Sequence, residues 1–158
     1  MKIPVKYLIF ISLFISLLSS CKKGGTTGPN PAIKDTTKPT ITIVKPTAGQ
    51  VFVAGNTISF QATFADNEKL KSYDIVISQK LVSGLILKIV PTSVPYSYTK
   101  SSTSLSSVSK SQEITLNDIT IPSNTATNIV TPGKYNCKVT CLDASNNTAE
   151  TILEFTIN

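Results

Sequence analysis

Acidic and amide side chains that follow two β-rich runs are the first candidates for chemistry in this sequence. Asp66 and Glu68 follow one run, and Asp143, Asn146 and Asn147 follow another. Carboxylate and amide oxygens are the ligands that Ca²⁺ prefers, and the ion takes about six to eight of them. If the two loops lie at the same end of the fold, Asp66, Glu68 and Asp143 are its predicted ligands. Alternatively, Asx side chains in tight turns bond their own backbone and need no ion.

Two tyrosines are the second candidate. Tyr96 and Tyr98 lie two residues apart beside Pro95, so in an extended chain their rings point the same way. Such a pair can stack on a sugar ring, which predicts a glycan-binding site. The alternative is that the edge of a sheet packs both rings against the core.

Cys137 and Cys141 lie four residues apart in one β-rich run. At ~3.3 Å per residue their Cα atoms are about 13 Å apart in a strand. A disulfide requires a Cα separation below about 7 Å, so the two cysteines cannot pair with each other. We predict that both are small buried core residues.

Several residue types are missing from the sequence. It contains no histidine, arginine or tryptophan, and all 15 basic residues are lysines. Without histidine, the Ser-His-Asp and Cys-His nucleophiles and most zinc sites are excluded, so we predict that the protein is not an enzyme. Arginine is the residue that reads phosphates and base edges, and the lysines are scattered, so we predict no nucleic-acid partner.

The candidate residues lie in or next to short segments that are predicted to be β-strands. From residue 39 onward apolar and polar residues alternate with period two, and turn residues separate the runs. Ile58, Phe60, Ala62 and Phe64 share one face of such a run. We predict that this face is buried, because a shift by one residue would expose all of them. The pattern predicts an all-β antiparallel sandwich of about seven strands. The predicted strands cover residues 40–44, 57–65, 73–77, 85–90, 114–121, 135–141 and 151–157.

Residues 1–20 have the organisation of a secretory signal peptide. A short basic segment, 1–6, precedes an uncharged apolar stretch at 7–18. A membrane-spanning helix needs about 20 apolar residues, so the shorter stretch favours a cleaved leader over an uncleaved anchor.

The leader ends at Leu18-Ser19-Ser20-Cys21, which resembles a lipobox. In proteins with this motif the cysteine thiol receives a diacylglycerol, and the leader is cut before it. The resemblance therefore implies lipidation of Cys21, and two or more acyl chains hold a protein stably on a membrane. Lys22 stands where an aspartate typically retains such lipoproteins in the inner membrane, so the resemblance implies the outer membrane. Exposure to the periplasm or to the cell surface stays open.

The rest of the chain divides into a tether and a domain. Residues 21–38 are rich in Gly, Thr, Pro and Lys, have no apolar period and are predicted to be a flexible tether. Within it, the triplet that starts at Asp35 resembles a short O-glycosylation acceptor motif of some such lipoproteins. Residues 39–158 are the predicted domain, and its segment 91–112 is predicted to be a serine-rich, partly stranded insertion.

Two motifs near the end of the chain resemble immunoglobulin-like (Ig-like) domains. Tyr135 lies two residues before the core position Cys137, which resembles the tyrosine corner at the start of strand F. The stretch from Asp143 to Asn147 resembles the turn between strands F and G of bacterial Ig-like modules. Asn146 stands there where glycine is usual, and asparagine tolerates a positive φ. The resemblance covers most of residues 38–158 and extends to Ig-like lipoprotein domains of unknown function.

These resemblances imply a non-catalytic module for binding or adhesion, held at the outer membrane by the lipid on Cys21. The expected partner is an envelope protein or a polysaccharide. The alternative is an accessory glycan-binding lipoprotein that uses Tyr96 and Tyr98. No cofactor is expected apart from the covalent lipid and the possible Ca²⁺.

Overall fold

The computed structural model describes residues 34–81, 93–103, 105 and 109–158. The predicted signal peptide, Cys21, most of the predicted tether and the predicted strand at 85–90 lie outside the described residues. In the part of the chain that is described, no helix is long and apolar enough to cross a membrane.

Ten β-strands occur among the described residues. They are β1 (Thr40–Lys45), β2 (Val51–Phe52), β3 (Thr57–Ala65), β4 (Leu70–Gln79), β5 (Ser93–Val94), β6 (Tyr98–Ser102), β7 (Ser111–Thr120), β8 (Ile129–Val130), β9 (Gly133–Asp143) and β10 (Thr148–Ile157). One sheet has the order β1-β3-β7, and a larger sheet has the order β2-β10-β9-β4-β6. The short strands β5 and β8 pair with each other in parallel.

Alternation of buried and exposed side chains explains why these residues form strands. In β3 the side chains of Ile58, Phe60, Ala62 and Phe64 are fully buried, whereas the residues that alternate with them are partly exposed. In β9 the same alternation buries Tyr135 and Val139. Side chains of successive strand residues point to opposite faces, so each of these strands presents one apolar face to the core.

The core lies between the two larger sheets. Phe64 of β3 and Tyr73 of β4, from different sheets, stack with their ring centroids 5.3 Å apart. Phe155 of β10 contacts Phe52 edge-on and stacks on Tyr135. Two sheets packed face to face through aromatic and aliphatic side chains form a β-sandwich. The predicted all-β, Ig-like sandwich is therefore confirmed.

The tyrosine corner is also present. The hydroxyl of Tyr135 donates a hydrogen bond of 2.6 Å to the carbonyl oxygen of Thr131, four residues upstream. The same hydroxyl accepts a hydrogen bond of 3.2 Å from the backbone N–H of Tyr96. These bonds fix the start of β9 to the segment that precedes β6, as expected for an Ig-like domain.

Six of the predicted strands correspond to β1, β3, β4, β7, β9 and β10. Four further strands were not predicted as such. The strands β2, β5 and β8 have two residues each, too few to show a period. Strand β6 lies within the segment 91–112, and its sequence of Tyr, Thr, Lys and Ser has no apolar alternation.

Strand register defines two ends of the sandwich. Thr40 pairs with Ala65, and Leu70 pairs with Asp143. One end therefore brings together segments 34–39, 66–69 and 144–147, and we call it the entry end. Thr57 pairs with Thr120 at the opposite end. We call this the far end; it comprises segments 46–56, 80–81, 93–97 and 121–132.

Candidate metal centre

Three aspartates meet at the entry end. Asp66 directly follows β3, Asp143 is the last residue of β9, and Asp35 precedes β1. One carboxylate oxygen from each lies within 4.8 Å of those of the other two. Oxygens bound to one Ca²⁺ at 2.3–2.6 Å can be up to about 5 Å apart, so the spacing fits a single ion.

Asp143 is 1% exposed and is the one buried charged side chain among the described residues. Its Oδ1 accepts a hydrogen bond of 2.8 Å from the backbone N–H of Asn147, and its Oδ2 accepts one of 2.6 Å from Asn147 Nδ2. The tight turn that permits these bonds contains Asn146 at a φ of 68°. Asparagine occupies this left-handed conformation more readily than most residues, as predicted for this position.

Asp66 is held by the start of the β3–β4 loop. Its Oδ2 accepts hydrogen bonds from the backbone N–H groups of Glu68 and Lys69, at 2.9 and 3.0 Å. This is an Asx-type turn, the arrangement that the sequence offered as the alternative to metal binding. The turn engages one carboxylate oxygen only. The other, Oδ1 of Asp66, is buried and has no donor among the described residues.

Asp35 enters the cluster from the last part of the predicted tether. Its Oδ1 accepts hydrogen bonds from the backbone N–H of Thr37 at 2.9 Å and from Asn67 Nδ2 at 3.1 Å. These two bonds, the one from Thr37 above all, lower the pKa of the Asp35 carboxyl below its usual value, because they favour the ionised form. Its Oδ2, like Oδ1 of Asp66, is buried and receives no hydrogen bond from the part of the chain that the structure describes.

Asn147 links the segment before β1 to the sandwich. Besides Asp143, its Nδ2 contacts the carbonyl oxygens of Asp35 and Thr37, at 3.1 and 3.0 Å. The first described residues of the chain are thus bonded to the β9–β10 turn. These contacts join residues more than a hundred positions apart in the sequence. They hold Asp35 in place beside Asp66 and Asp143.

The structure brings together two of the three predicted metal ligands. Asp66 and Asp143 belong to the cluster, whereas Glu68 has an exposed side chain and is not part of it. Asp35 takes the third position. Sequence reasoning missed Asp35 because it lies in a segment without apolar period, far from both partners along the chain.

The two predicted glycan-stacking tyrosines both pack against the core. Tyr96 is 8% exposed, and its ring centroid lies 6.4 Å from that of Tyr135. Burial raises the pKa of Tyr96 to about 12. Tyr98 is half-buried in β6 and packs against the same core. This is the arrangement given as the alternative in the sequence analysis, and it leaves Tyr96 with too little exposed surface to stack on a sugar.

A cavity of about 230 Å³ lies at the far end. Its wall is mainly apolar, and it includes Val94, Pro95, Tyr96, Pro122 and Val130. The exposed side chain of Ser123 also lines it. Among the described residues, no carboxylate, lysine or cysteine lines this cavity, so its lining suits an apolar group of a partner better than an acid–base reaction.

Cys137 and Cys141 are both free and buried, as predicted. Burial raises the pKa of each thiol to about 12. A thiol with such a pKa is ionised in about one molecule in 10⁴ at pH 8, and the thiolate is the reactive form.

We therefore expect both thiols to be inert in the native protein. An aromatic disulfide reagent at pH 8 should label neither Cys137 nor Cys141 within minutes, and it should label both in concentrated urea. Peptide mass spectrometry identifies the labelled residues. Rapid labelling of either one in the native state would contradict the burial seen in the structure.

Comparison with known proteins gives one family match. Residues 19–158 match the family described as "Domain of unknown function (DUF4625)". No curated protein matches the sequence. Among solved structures, the fibronectin(III)-like modules of Clostridium thermocellum CbhA are 18% identical with a TM-score of 0.42, over 75% of this chain and 46% of theirs.

A second solved structure, OgpA from Akkermansia muciniphila, is 10% identical with a TM-score of 0.46. The match covers 77% of this chain and 28% of OgpA. The chain thus spans less than half of the length of either solved protein.

Proposed function

The chain belongs to the DUF4625 family. For this member we propose that it is a lipid-anchored, non-catalytic Ig-like module of the bacterial cell envelope. In this proposal the lipid on Cys21 holds the domain at the outer membrane, and the domain binds an envelope protein or a polysaccharide. The lipobox-like motif at Leu18–Cys21 supports the anchor. The β-sandwich supports the binding role, because the loops at the ends of such sandwiches commonly carry recognition surfaces.

The described side chains support a non-catalytic role. Cys137 and Cys141 are buried with raised pKa values, so neither is an accessible nucleophile. The carboxylates of Asp66 and Asp143 accept hydrogen bonds from their own loops, which fits a structural or metal-binding use. The lack of histidine in the sequence also removes the imidazole base that activates serine and cysteine nucleophiles.

The observation that carries the binding role is the distribution of exposed apolar side chains. Of the six large hydrophobic residues that are exposed in the described chain, four belong to the far end: Val51, Val53, Leu81 and Val94. They lie at the same end as the cavity that Pro95 and Pro122 line. Exposed apolar surface concentrated in one region marks an interaction site more often than scattered apolar residues do.

Site-specific photo-crosslinking in intact cells tests this role. A photo-reactive amino acid at Ser123, on the cavity wall at the far end, should form an adduct with an envelope component. The same amino acid at Glu68, exposed at the entry end, is the matched control and should form several-fold less. Absence of any adduct from Ser123, or equal adducts from both positions, would contradict binding at the far end.

A further inference from the structure

The three aspartates at the entry end form a site that their own hydrogen bonds do not explain. Their carboxylates provide six oxygens, and four of these accept hydrogen bonds from backbone or amide N–H groups. The other two, Oδ2 of Asp35 and Oδ1 of Asp66, are themselves buried although both side chains are partly exposed, and no described residue donates a hydrogen bond to them. A buried carboxylate oxygen without a donor is costly, so a group that is not a hydrogen-bond donor of this chain is expected there.

The charge of the cluster indicates what this group is. Ionised carboxylates that share a site repel one another, and Asp143 is almost completely buried beside the other two. None of the ion pairs found among residues 34–81, 93–103 and 109–158 involves Asp35, Asp66 or Asp143. Lys71 donates a hydrogen bond to Asn146 Oδ1 at the same end, but no lysine of the described residues forms an ion pair with the three carboxylates. A bound cation would balance their charge directly.

We propose that Asp35, Asp66 and Asp143 bind one divalent cation, and that this cation is Ca²⁺. All three ligands are carboxylate oxygens, whereas zinc sites use mainly nitrogen and sulfur ligands. The ligands come from three separate segments whose positions are set by β-strand ends, and Ca²⁺ accepts such irregular geometry. Mg²⁺ demands a near-ideal octahedron and is bound less well by an arrangement of this kind. Water completes the coordination shell.

The ion has a structural consequence that goes beyond the proposed binding role and does not depend on it. Asp66 and Asp143 belong to the sandwich, but Asp35 belongs to the segment that leads into β1. A cation on all three joins residues 34–39 to the β3–β4 loop and the β9–β10 turn. The hydrogen bonds from Asn147 to Asp35 and Thr37 run beside this link and place the same segment. Ca²⁺ thereby orders residues 34–39 at this end of the sandwich.

Calorimetric titration of the processed, detergent-solubilised protein with CaCl₂ tests the proposal. One Ca²⁺ should bind per chain, at least about tenfold more tightly than Mg²⁺. At about 100 times the Kd, Ca²⁺ should raise the thermal midpoint by about 5 °C or more over the value in chelator. Amide hydrogen exchange of the peptide that covers residues 34–39 should slow when Ca²⁺ is added, because the clamp orders that segment.

Two variants locate the ion. Asp66→Asn keeps an oxygen acceptor for the N–H groups of Glu68 and Lys69 but removes the charge, and it should weaken binding at least about tenfold. Asp35→Asn, outside the strands, should do the same without risk to the sandwich. Glu68→Gln is the matched control because its exposed carboxylate is next to the cluster and not in it; its affinity should stay within about twofold of the unchanged protein.

Clear outcomes overturn the proposal. No heat on titration, together with equal thermal midpoints in Ca²⁺ and chelator, excludes the site. Equal losses in Glu68→Gln and Asp66→Asn show diffuse attraction to an acidic surface. Mg²⁺ affinity equal to that of Ca²⁺ overturns the assignment of the ion. Unchanged hydrogen exchange at residues 34–39 despite binding overturns the clamp. All of these results leave adducts from Ser123 unaffected, so failure here is distinguishable from failure of the proposed function.

Discussion

Replacement of Cys21 with serine is expected to abolish incorporation of a fatty-acid label and to leave the leader uncut. The lipid is attached through the thiol in proteins with a lipobox, and a hydroxyl does not take its place. Loss of the acyl chains removes about 0.8 kcal/mol of membrane attraction per buried CH₂ group, enough to change stable anchoring into none. Metabolic labelling with an alkyne fatty acid, followed by gel mobility of the chain, measures both effects.

Ser19→Ala is the matched control for this experiment. It keeps a small residue at the position before Ser20 and should leave labelling and processing unchanged. A Cys21→Ser chain that is still shortened by the length of residues 1–20 and still sediments with membranes would contradict lipid anchoring. Such a result would show that another part of the chain holds the protein there.

Replacement of Phe60 with alanine is expected to lower the free energy of unfolding by about 3–5 kcal/mol. Phe60 is fully buried in the middle of β3, opposite Leu116 of β7. The substitution removes a large apolar side chain and leaves a cavity that the two packed sheets close only in part. A domain has about 5–15 kcal/mol of stability in total, so this one change removes a large share of it.

Urea denaturation followed by far-ultraviolet circular dichroism measures this loss. Ile152→Ala is the control, because Ile152 lies in a strand too but is 55% exposed. Its effect should stay below about 1 kcal/mol. If Phe60→Ala and Ile152→Ala shifted the unfolding free energy equally, the core between β3 and the opposite sheet would not be packed as described.

The long strands could be predicted because their residues repeat a simple pattern. Ile58, Phe60 and Phe64 alternate with polar residues, and burial on one face is the direct cause of that alternation. The tyrosine corner at Tyr135 and the positive φ of Asn146 could be predicted from the resemblance of two short motifs to Ig-like domains. Both are local arrangements that depend on residues a few positions apart.

The features that escaped prediction depend on contacts between distant segments. Asp35 gives no local sign that it meets Asp66 and Asp143, because register and loop packing bring them together. Glu68 looked equivalent to Asp66 in sequence, but the Asx turn at Asp66 places the Glu68 side chain in solvent. The spacing of Tyr96 in the sequence is compatible with either a surface or a core position. Its ring packs against Tyr135, which places it in the core.

Mass spectrometry of the amino-terminal peptide of the mature protein tests the central claim, a lipid-anchored module, most directly. The expected first residue is Cys21, with a mass that includes a diacylglycerol on sulfur, with or without an acyl group on the new amino terminus. A mature chain that begins at another residue, or that begins at Cys21 with an unmodified thiol, would contradict it.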